Sequence, residues 1–203
     1  MFAVLNDFRI IEFSGFIRSF RWTKNRNSVI IKEEAETIRS NNDMNPKSEN
    51  KKVTDSMTES SKIVQSKDIN GQNRLFGGRL MEWIDEVAAL TAMRHCGGLV
   101  TTCAVDSLVF KHGAKLNQVV VLTGKVTYVG NTSLEVRVDT YVEEVESGER
   151  FAINHAYLIL VHVNNNGEPT PIRYGLDLQS ESEQAEWDSA LIRAKSRKER
   201  YAY

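Results

Sequence analysis

The sequence predicts an α+β fold in which an antiparallel sheet wraps around one long helix. The helix follows from residues 75–96, LFGGRLMEWIDEVAALTAMRHC, where apolar residues recur at helical spacing and a glycine pair ends the segment. The sheet follows from several segments rich in β-branched residues, separated by turns that contain glycine and asparagine. One strand, a long helix and then a run of strands is the order expected when a sheet packs on a single helix.

The composition suits one soluble domain with additional segments. The chain has 203 residues, of which 41% are hydrophobic and 26% charged, and its net charge is −1. This balance gives no support for nucleic acid as a partner, and the apolar runs are too short to span a membrane. Cys96 and Cys103 fit small buried positions better than a disulfide or metal site. We therefore expect a cytoplasmic protein with no metal, and with no cofactor because GxGxxG and P-loop motifs are absent.

Three segments differ in composition. Residues 1–52 form an N-terminal extension that mixes aromatic and basic residues and ends in a polar run, and we expect it to be poorly ordered. An amphipathic surface-binding segment is the alternative for its first part, and Met44 is an alternative start. Residues 53–168 are expected to form the domain that holds the sheet and its helix. Residues 169–203 are expected to form a loop and a basic helix.

The strand predictions rest on alternation and on turn residues. A loosely alternating segment predicts a first strand over residues 53–64, before the polar loop 68–74. Segments after the helix predict four more strands, at 100–110, 118–129, 134–142 and 151–163. In the third of these, one face carries Leu134, Val136, Val138 and Thr140, and the other carries Glu135, Arg137, Asp139 and Tyr141.

One residue of the long helix does not suit a simple core helix. The buried stripe is expected to contain Leu80, Ile84, Val87, Ala88 and Thr91. Asp85 follows Met81 by one turn, so its own row is apolar, whereas Glu82 and Glu86 share a row with Arg79 that we expect to face water. A carboxylate on an apolar row is costly unless a catalytic site uses it or a structural partner satisfies it, and the helix alone leaves both explanations open.

Gly77 and Gly78 open this helix. Without side chains they leave backbone N–H groups bare at a helix N-terminus, where an anion or a polarised carbonyl oxygen can bind, although a tight turn is the simpler explanation. Gly77 and Asp85 are eight residues apart, or about 12 Å along a helix. A base and an oxyanion donor must each lie within about 3 Å of the atoms they serve. If both groups serve one site, two chains must therefore supply them.

The run NRLFGGRLMEWIDEVAALTA resembles the signature of hot-dog-fold acyl-CoA thioesterases of the acyl-CoA hydrolase type. Downstream, VTTCAVDSLVF and VTYVGNTSLEVRVDTYVE resemble the next strands of that family, and the resemblance covers residues 53–163 and the basic C-terminal helix. It implies the hot-dog fold and the hydrolysis of acyl-CoA to a free fatty acid and coenzyme A. It also implies a homohexamer, a trimer of dimers whose active sites lie at the dimer interface.

The resemblance assigns roles to particular residues. Asp85 matches the acid of the family and would act as general base for water, or as nucleophile through a mixed anhydride. Gly78 of the partner chain would polarise the carbonyl through its backbone N–H, and Asn73 would orient the water or the carbonyl. The residues expected to bind substrate are Phe76 and Gly77 in the glycine motif and Asn131, Thr132 and Ser133 in a loop near coenzyme A.

Two other functions stay open. An acyl-thioester hydratase would share the fold but would need an acid paired with a histidine, and the sequence places no histidine beside the glycine motif. A non-catalytic acyl-CoA-sensing regulator would need a DNA-binding domain, for which the N-terminal segment offers no convincing helix-turn-helix. We expect the four histidines to be structural or solvent-exposed. The basic residues of the C-terminal helix either form a solvated face or attract coenzyme A phosphates: Arg193, Lys195, Arg197, Lys198 and Arg200.

Overall fold

The computed structural model describes residues 47–200. In chain order the elements are β1 (Glu49–Lys52), α1 (Val53–Ser56), β2 (Thr58–Ile63), a 3-10 turn (Ser66–Asp68), α2 (Gly77–Cys96), β3 (Leu99–Phe110), β4 (Val119–Val129), β5 (Ser133–Glu143), β6 (Arg150–Val163), β7 (Tyr174–Asp177) and α3 (Glu181–Arg200). The long helix and the four strands predicted after it are confirmed. The predictions for residues 1–46, including the alternative start at Met44, lie outside the described residues.

Five strands form one antiparallel sheet in the order β2-β4-β5-β6-β3. Helix α2 packs on one face of this sheet through a stripe that is almost wholly buried and includes every residue predicted for it: Leu80, Trp83, Ile84, Val87, Ala88, Thr91, Ala92, His95 and Cys96. The helix crosses β4 closely at Gly124, where a Cβ atom would lie 2.9 Å from Cγ1 of Val87. Strands β2 and β3, at the two ends of the strand order, form the edges of the sheet.

Helix α2 ends as the sequence predicts. Gly97 adopts a left-handed conformation with φ of 71°, and its N–H donates to the carbonyl of Met93 at 2.8 Å. After this stop the chain turns directly into edge strand β3. Two irregularities in the pairing of β3 with β6 leave Cys103 and Asp106 unmatched. Cys96 is buried, and burial raises the pKa of its thiol to about 11. Cys103 is exposed, contrary to the expectation of a buried residue, because it lies on the bulged edge strand.

Helix α3 covers the opposite face of the sheet. Ala190 and Leu191 are buried there, and the ring of Trp187 packs on that of Tyr128 at 4.9 Å. Glu135, on the polar face of the alternating strand, is wholly buried under this helix and forms ion pairs with Arg193 at 2.7 Å and with Arg197 at 3.2 Å. The basic residues of α3 are therefore not simply a solvated face, because this pair attaches the helix to the sheet.

The N-terminal part of the described chain differs from the predicted pattern. The expected strand over residues 53–64 is interrupted, because the carboxylate of Asp55 accepts the backbone N–H of Lys52 at 2.9 Å and begins a helical turn. The strand proper starts only at Thr58. Residues 49–52, placed by sequence in the N-terminal extension, form β1 and pair in parallel with β7. The structured region therefore begins before the expected boundary at residue 53.

Candidate active site

A buried acid fixes the start of helix α2. The carboxylate of Asp68 pairs with Arg79 in the first turn at 3.2 Å, and its backbone carbonyl accepts the N–H of Phe76 at 2.8 Å. The helix begins without a side-chain cap, so the N–H groups of Gly77 and Gly78 have no acceptor within the helix. Asp68 therefore holds two backbone donors in place at the positive end of the helix dipole.

Two phenylalanine rings lie against the glycine pair, and that of Phe76 occupies the space that a side chain at Gly78 would need. A Cβ atom on Gly78 would lie 2.5 Å from the ring of Phe76, and one on Gly77 would lie 3.6 Å from the ring of Phe110. Both rings are about half exposed in the single chain, at 57% for Phe76 and 49% for Phe110. The glycine N–H groups thus have apolar surroundings, in which a hydrogen bond to a developing charge is stronger than in water.

The turn before the helix separates the roles of two asparagines. Asn73 has φ of 54°, a left-handed turn position that asparagine tolerates well. The side-chain oxygen of Asn70 accepts the backbone N–H groups of Gln72 at 2.9 Å and Arg74 at 3.3 Å. With that oxygen engaged, the amide nitrogen of Asn70 is the group available for a further hydrogen bond.

A cavity of about 550 Å³ lies at this end of the helix. Asn70 and Gly77 line it together with Phe110, Lys111 and His112, whereas Asn73 does not. The sequence alone did not identify two features of this cavity. Asn70 lines it beside the glycine motif, and the fold brings His112 to it from the end of β3. Neither was visible as a spacing motif, because the turn geometry and the strand pairing decide both.

Asp85 lies two turns further along α2, where the neighbouring edge strand supplies its partner. The hydroxyl of Thr102 in β3 donates a hydrogen bond to Oδ1 of Asp85 at 2.6 Å. This bond fixes the orientation of one carboxylate oxygen and leaves the other available. A carboxylate held in this way can accept a proton from water or attack a carbonyl carbon.

The row of α2 that carries Asp85 is exposed in the single chain. The expectation that this row is dry is therefore not met within residues 47–200, because no element of that region covers Asp85. Several apolar side chains on the helix and the edge strand are also 39–49% exposed: Met81, Leu90, Met93, Leu99, Val105 and Val109. Glu82 and Glu86 face water as predicted, and they pair with Arg79 and Lys62 respectively.

The candidate catalytic groups thus form two clusters along helix α2, and Asn73, which the sequence predicted, belongs to neither. Asn70, Gly77 and Gly78 lie at its start, and Asp85 lies with Thr102 near its middle. The rise of a helix separates Gly77 from Asp85 by about 12 Å, so a single chain does not bring them to one carbonyl group.

Comparison with known proteins identifies the family. The sequence profile of the thioesterase superfamily matches residues 72–149. The uncharacterized acyl-CoA thioester hydrolase YkhA of Bacillus subtilis is 35% identical over 145 residues, which are 69% of this chain and 84% of that protein. The chain belongs to the acyl-CoA thioester hydrolase family.

Solved structures of acyl-CoA thioester hydrolases share the fold, which confirms the predicted hot-dog architecture. An apo hexameric acyl-CoA thioesterase has 35% identity and a TM-score of 0.72, covering 76% of this chain and 98% of its own. The acyl-CoA hydrolase of Staphylococcus aureus, in complex with butyryl coenzyme A, coenzyme A and coenzyme A disulfide, has 31% identity and a TM-score of 0.70, covering 74% and 91%.

Alanine variants of the Staphylococcus aureus enzyme are also among the similar structures. They replace one asparagine, one aspartate and one threonine. The asparagine lies 15 positions before the aspartate, and the threonine lies 17 positions after it.

The loop expected near coenzyme A in this thioester hydrolase family joins β4 to β5. Its carbonyl groups are held from several directions, including a 2.8 Å hydrogen bond from the backbone N–H of His162 to Thr132. Asn131 and Ser133 line a second cavity, of about 500 Å³, together with Lys195 and Lys198 of α3. Neither lysine forms an ion pair with a residue in the described part of the chain, so both charges are free to meet an anion.

Residues 47–200 contain neither a metal-binding cluster nor a helix suited to crossing a membrane. No group of three or more histidine, cysteine, aspartate or glutamate side chains there is arranged to hold a metal ion. Across the same residues, every helix is too short or too polar for a membrane crossing.

Proposed function

We propose that this protein hydrolyses acyl-CoA thioesters to a free fatty acid and coenzyme A, at sites that two chains build together. One observation carries the proposal. Asn70, Asp85 and Thr102 repeat the residue types and the spacing of the three positions replaced in the Staphylococcus aureus enzyme. The same three residues fall into the two clusters that geometry separates within one chain.

Asp85 is the proposed catalytic base. It takes a proton from a water molecule as that water attacks the thioester carbonyl carbon, while Thr102 holds the carboxylate in position. The negative charge then develops on the carbonyl oxygen, where the backbone N–H of Gly78 from the partner chain stabilises it. Collapse of the intermediate breaks the carbon–sulfur bond and releases the thiolate of coenzyme A, which takes up the proton from Asp85. Direct attack by Asp85 through a mixed anhydride is the alternative route.

We assign the supporting amide to Asn70 and no longer to Asn73. Asn73 occupies a left-handed turn position and does not line the cavity beside Gly77. Asn70 does line that cavity, and two backbone N–H groups hold its side-chain oxygen. Its NH₂ group is therefore the donor that orients the water or the carbonyl, and Phe76 and Gly77 form the adjoining substrate surface.

A second copy of the chain supplies the missing half of each site. Edge strand β3 and helix α2 both carry large apolar side chains that stay exposed in the single chain, and the edge strand can pair with another copy. Two copies that share this surface would cover Asp85 and bring it to the glycine motif of the partner. The hexameric state of the similar thioesterases supports a trimer of such dimers.

We propose that the coenzyme A part of the substrate extends out of the site along Asn131, Thr132 and Ser133. The neighbouring cavity combines Asn131 and Ser133 with Lys195 and Lys198, whose charges suit phosphate groups. We place the protein in the cytoplasm, and we propose that hydrolysis does not need residues 1–43 of the N-terminal extension.

The test is hydrolysis of a panel of acyl-CoAs from acetyl to palmitoyl by wild type and by Asp85→Asn. The variant keeps the shape and polarity of the side chain but removes the base, so turnover should fall by about 10²–10⁴-fold. Glu82→Gln and Glu86→Gln are matched controls on the solvent-facing row and should be nearly silent. A folded Asp85→Asn protein that hydrolyses within a few-fold of wild type would refute the role of Asp85.

A hydratase is the competing activity, because His112 lines the cavity beside the glycine motif. An enoyl-CoA hydration assay separates the two reactions. We expect no hydration, and we expect His112→Ala to keep hydrolysis within a few-fold of wild type.

A further inference from the structure

The described chain begins with a segment that holds the proposed coenzyme A loop from outside the main sheet. Residues 47–52, here called the N-terminal strap, include strand β1, which pairs in parallel with β7 from Glu49 and Tyr174 to Lys52 and Asp177. This two-stranded sheet is separate from the five-stranded sheet. It joins segments that lie more than 120 positions apart in the sequence.

Lys47 is the point at which the strap meets the loop. Its ammonium group donates hydrogen bonds to the carbonyl of Ile172 at 2.9 Å and to the carbonyl of Asn131 at 3.3 Å. The Asn131 carbonyl also accepts the backbone N–H of Ile172 at 2.7 Å. One charged group thus joins the proposed coenzyme A loop to the segment that leads into β7.

The strap also contacts the end of the helix that carries Asp85. The ammonium group of Lys51 donates to the carbonyls of Arg94 at 2.7 Å and His95 at 2.9 Å, in the last turn of α2. A cation at this position satisfies carbonyl groups that have no partner in the helix and faces the negative end of its dipole. The same group lies 4.1 Å from the ring centre of Tyr174 in β7.

Close packing and an ion pair keep the strap in this position. At Gly175 in β7, an added Cβ atom would collide with the side-chain oxygen of Asn50 and would lie 3.2 Å from Cβ of Lys47. Glu49 pairs with Arg173 on the outer side. Burial lowers the pKa of Lys47, as expected for an ammonium group that is partly withdrawn from water.

We propose that Lys47 is a positioning residue for coenzyme A: through the carbonyls of Asn131 and Ile172 it fixes the backbone of the loop 130–133 in the conformation that binds the substrate. The proposal rests on the function proposed above. It predicts that Lys47 affects substrate binding, whereas Lys51, at the helix end, affects stability.

The test compares Lys47→Met with Lys47→Arg, Lys51→Met and Lys67→Met in the full chain. Lys67 is exposed and forms no ion pair with the residues described, so its variant controls for loss of a surface charge. A hydrogen bond from a charged group is lost in Lys47→Met, so KM for acyl-CoA should rise about tenfold while kcat stays within twofold. Lys47→Arg keeps the charge and should recover most of the loss. Lys51→Met should lower the thermal midpoint with little change in KM.

Amide hydrogen exchange supplies a readout that does not depend on activity. In Lys47→Met the backbone N–H of Ile172 should exchange about tenfold faster, because its hydrogen bond to Asn131 loses the support of the ammonium group. An unchanged KM, an unchanged exchange rate, or a KM change shared by Lys67→Met would each overturn the proposal. If wild type hydrolyses no acyl-CoA, the proposed function fails on its own, and the exchange rate alone decides whether Lys47 fixes the loop.

Discussion

The hydroxyl of Thr102 donates a 2.6 Å hydrogen bond to the carboxylate of Asp85, across the contact between edge strand β3 and helix α2. A serine or threonine hydroxyl in this position holds the carboxylate in one orientation. The periodicity of the helix predicted Asp85, but it could not identify Thr102, which lies on a different element.

Replacing this hydroxyl should lower catalysis without unfolding the protein. Thr102→Val keeps the shape of the side chain and loses only the donor, so Asp85 becomes free to turn away from the substrate. We expect kcat to fall by about 10- to 100-fold. Thr101→Val on the neighbouring exposed position is the control. Equal activity of the two variants in a steady-state assay would show that Asp85 does not need Thr102.

The two asparagines of the turn should respond in opposite ways. Asn70→Asp keeps an oxygen for the N–H groups of Gln72 and Arg74 but removes the NH₂ donor, so turnover should fall by about 100-fold while the thermal midpoint holds. Asn73→Gly suits the left-handed backbone and should leave turnover within a few-fold and the midpoint no lower. Loss of activity only in the Asn73 variant would return the role to Asn73.

The attachment of α3 should depend on the buried acid beneath it. Glu135 is wholly buried, so removal of one arginine leaves its charge poorly compensated. We expect Arg193→Met to lower the free energy of unfolding by about 3 kcal/mol in denaturant titration. Lys195→Met on the same helix should change it little. If both variants unfold at the same denaturant concentration as wild type, the pair does not hold the helix.

The ion pairs that attach helix α3 to the sheet should stabilise the protein less at low pH. Burial by itself raises the pKa values of Asp106 and Glu186, but hydrogen bonds outweigh it in both. Those from Arg200 and Arg197 hold the pKa of Asp106 below its ordinary value. Those from Tyr157 and Arg137 do the same for the pKa of Glu186. Because both pKa values are lower in the folded state, the stabilisation is complete above the unfolded values, near about 4, and is lost as pH falls through the folded values. Thermal midpoints measured from about pH 6 to pH 3 should therefore fall. Asp106→Asn should flatten this dependence; an equally steep fall would exclude Asp106 as a cause.

Local patterns predicted most of the fold. The buried stripe of α2, its glycine stop and the four strands after it depend on periodicity and turn residues, which neighbouring positions in the sequence display. Glu135 was not expected to be buried, because its burial depends on a helix more than forty residues further along. Strand β1 was missed for the same reason, since its partner β7 lies near the other end of the chain.

The site was predictable only in part. The acid and the glycine pair stood out because a charge on an apolar row and a bare helix start are unusual in one short segment. Asn70 did not, because four neighbouring positions offer two asparagines and only the turn geometry separates them. Thr102 and His112 reach the site through strand pairing, which no local pattern encodes.

The central claim is that each active site takes Asp85 from one chain and the glycine motif with Asn70 from another. Mixing two inactive variants tests it: Asp85→Asn and Asn70→Asp are denatured together, refolded, and assayed for acyl-CoA hydrolysis. Random pairing makes half of the dimers mixed, and one of the two sites in each mixed dimer is intact, so about a quarter of the wild-type activity should return. Activity no greater than the mean of the two variants, in a mixture shown by mass spectrometry to contain mixed dimers, would contradict the two-chain site.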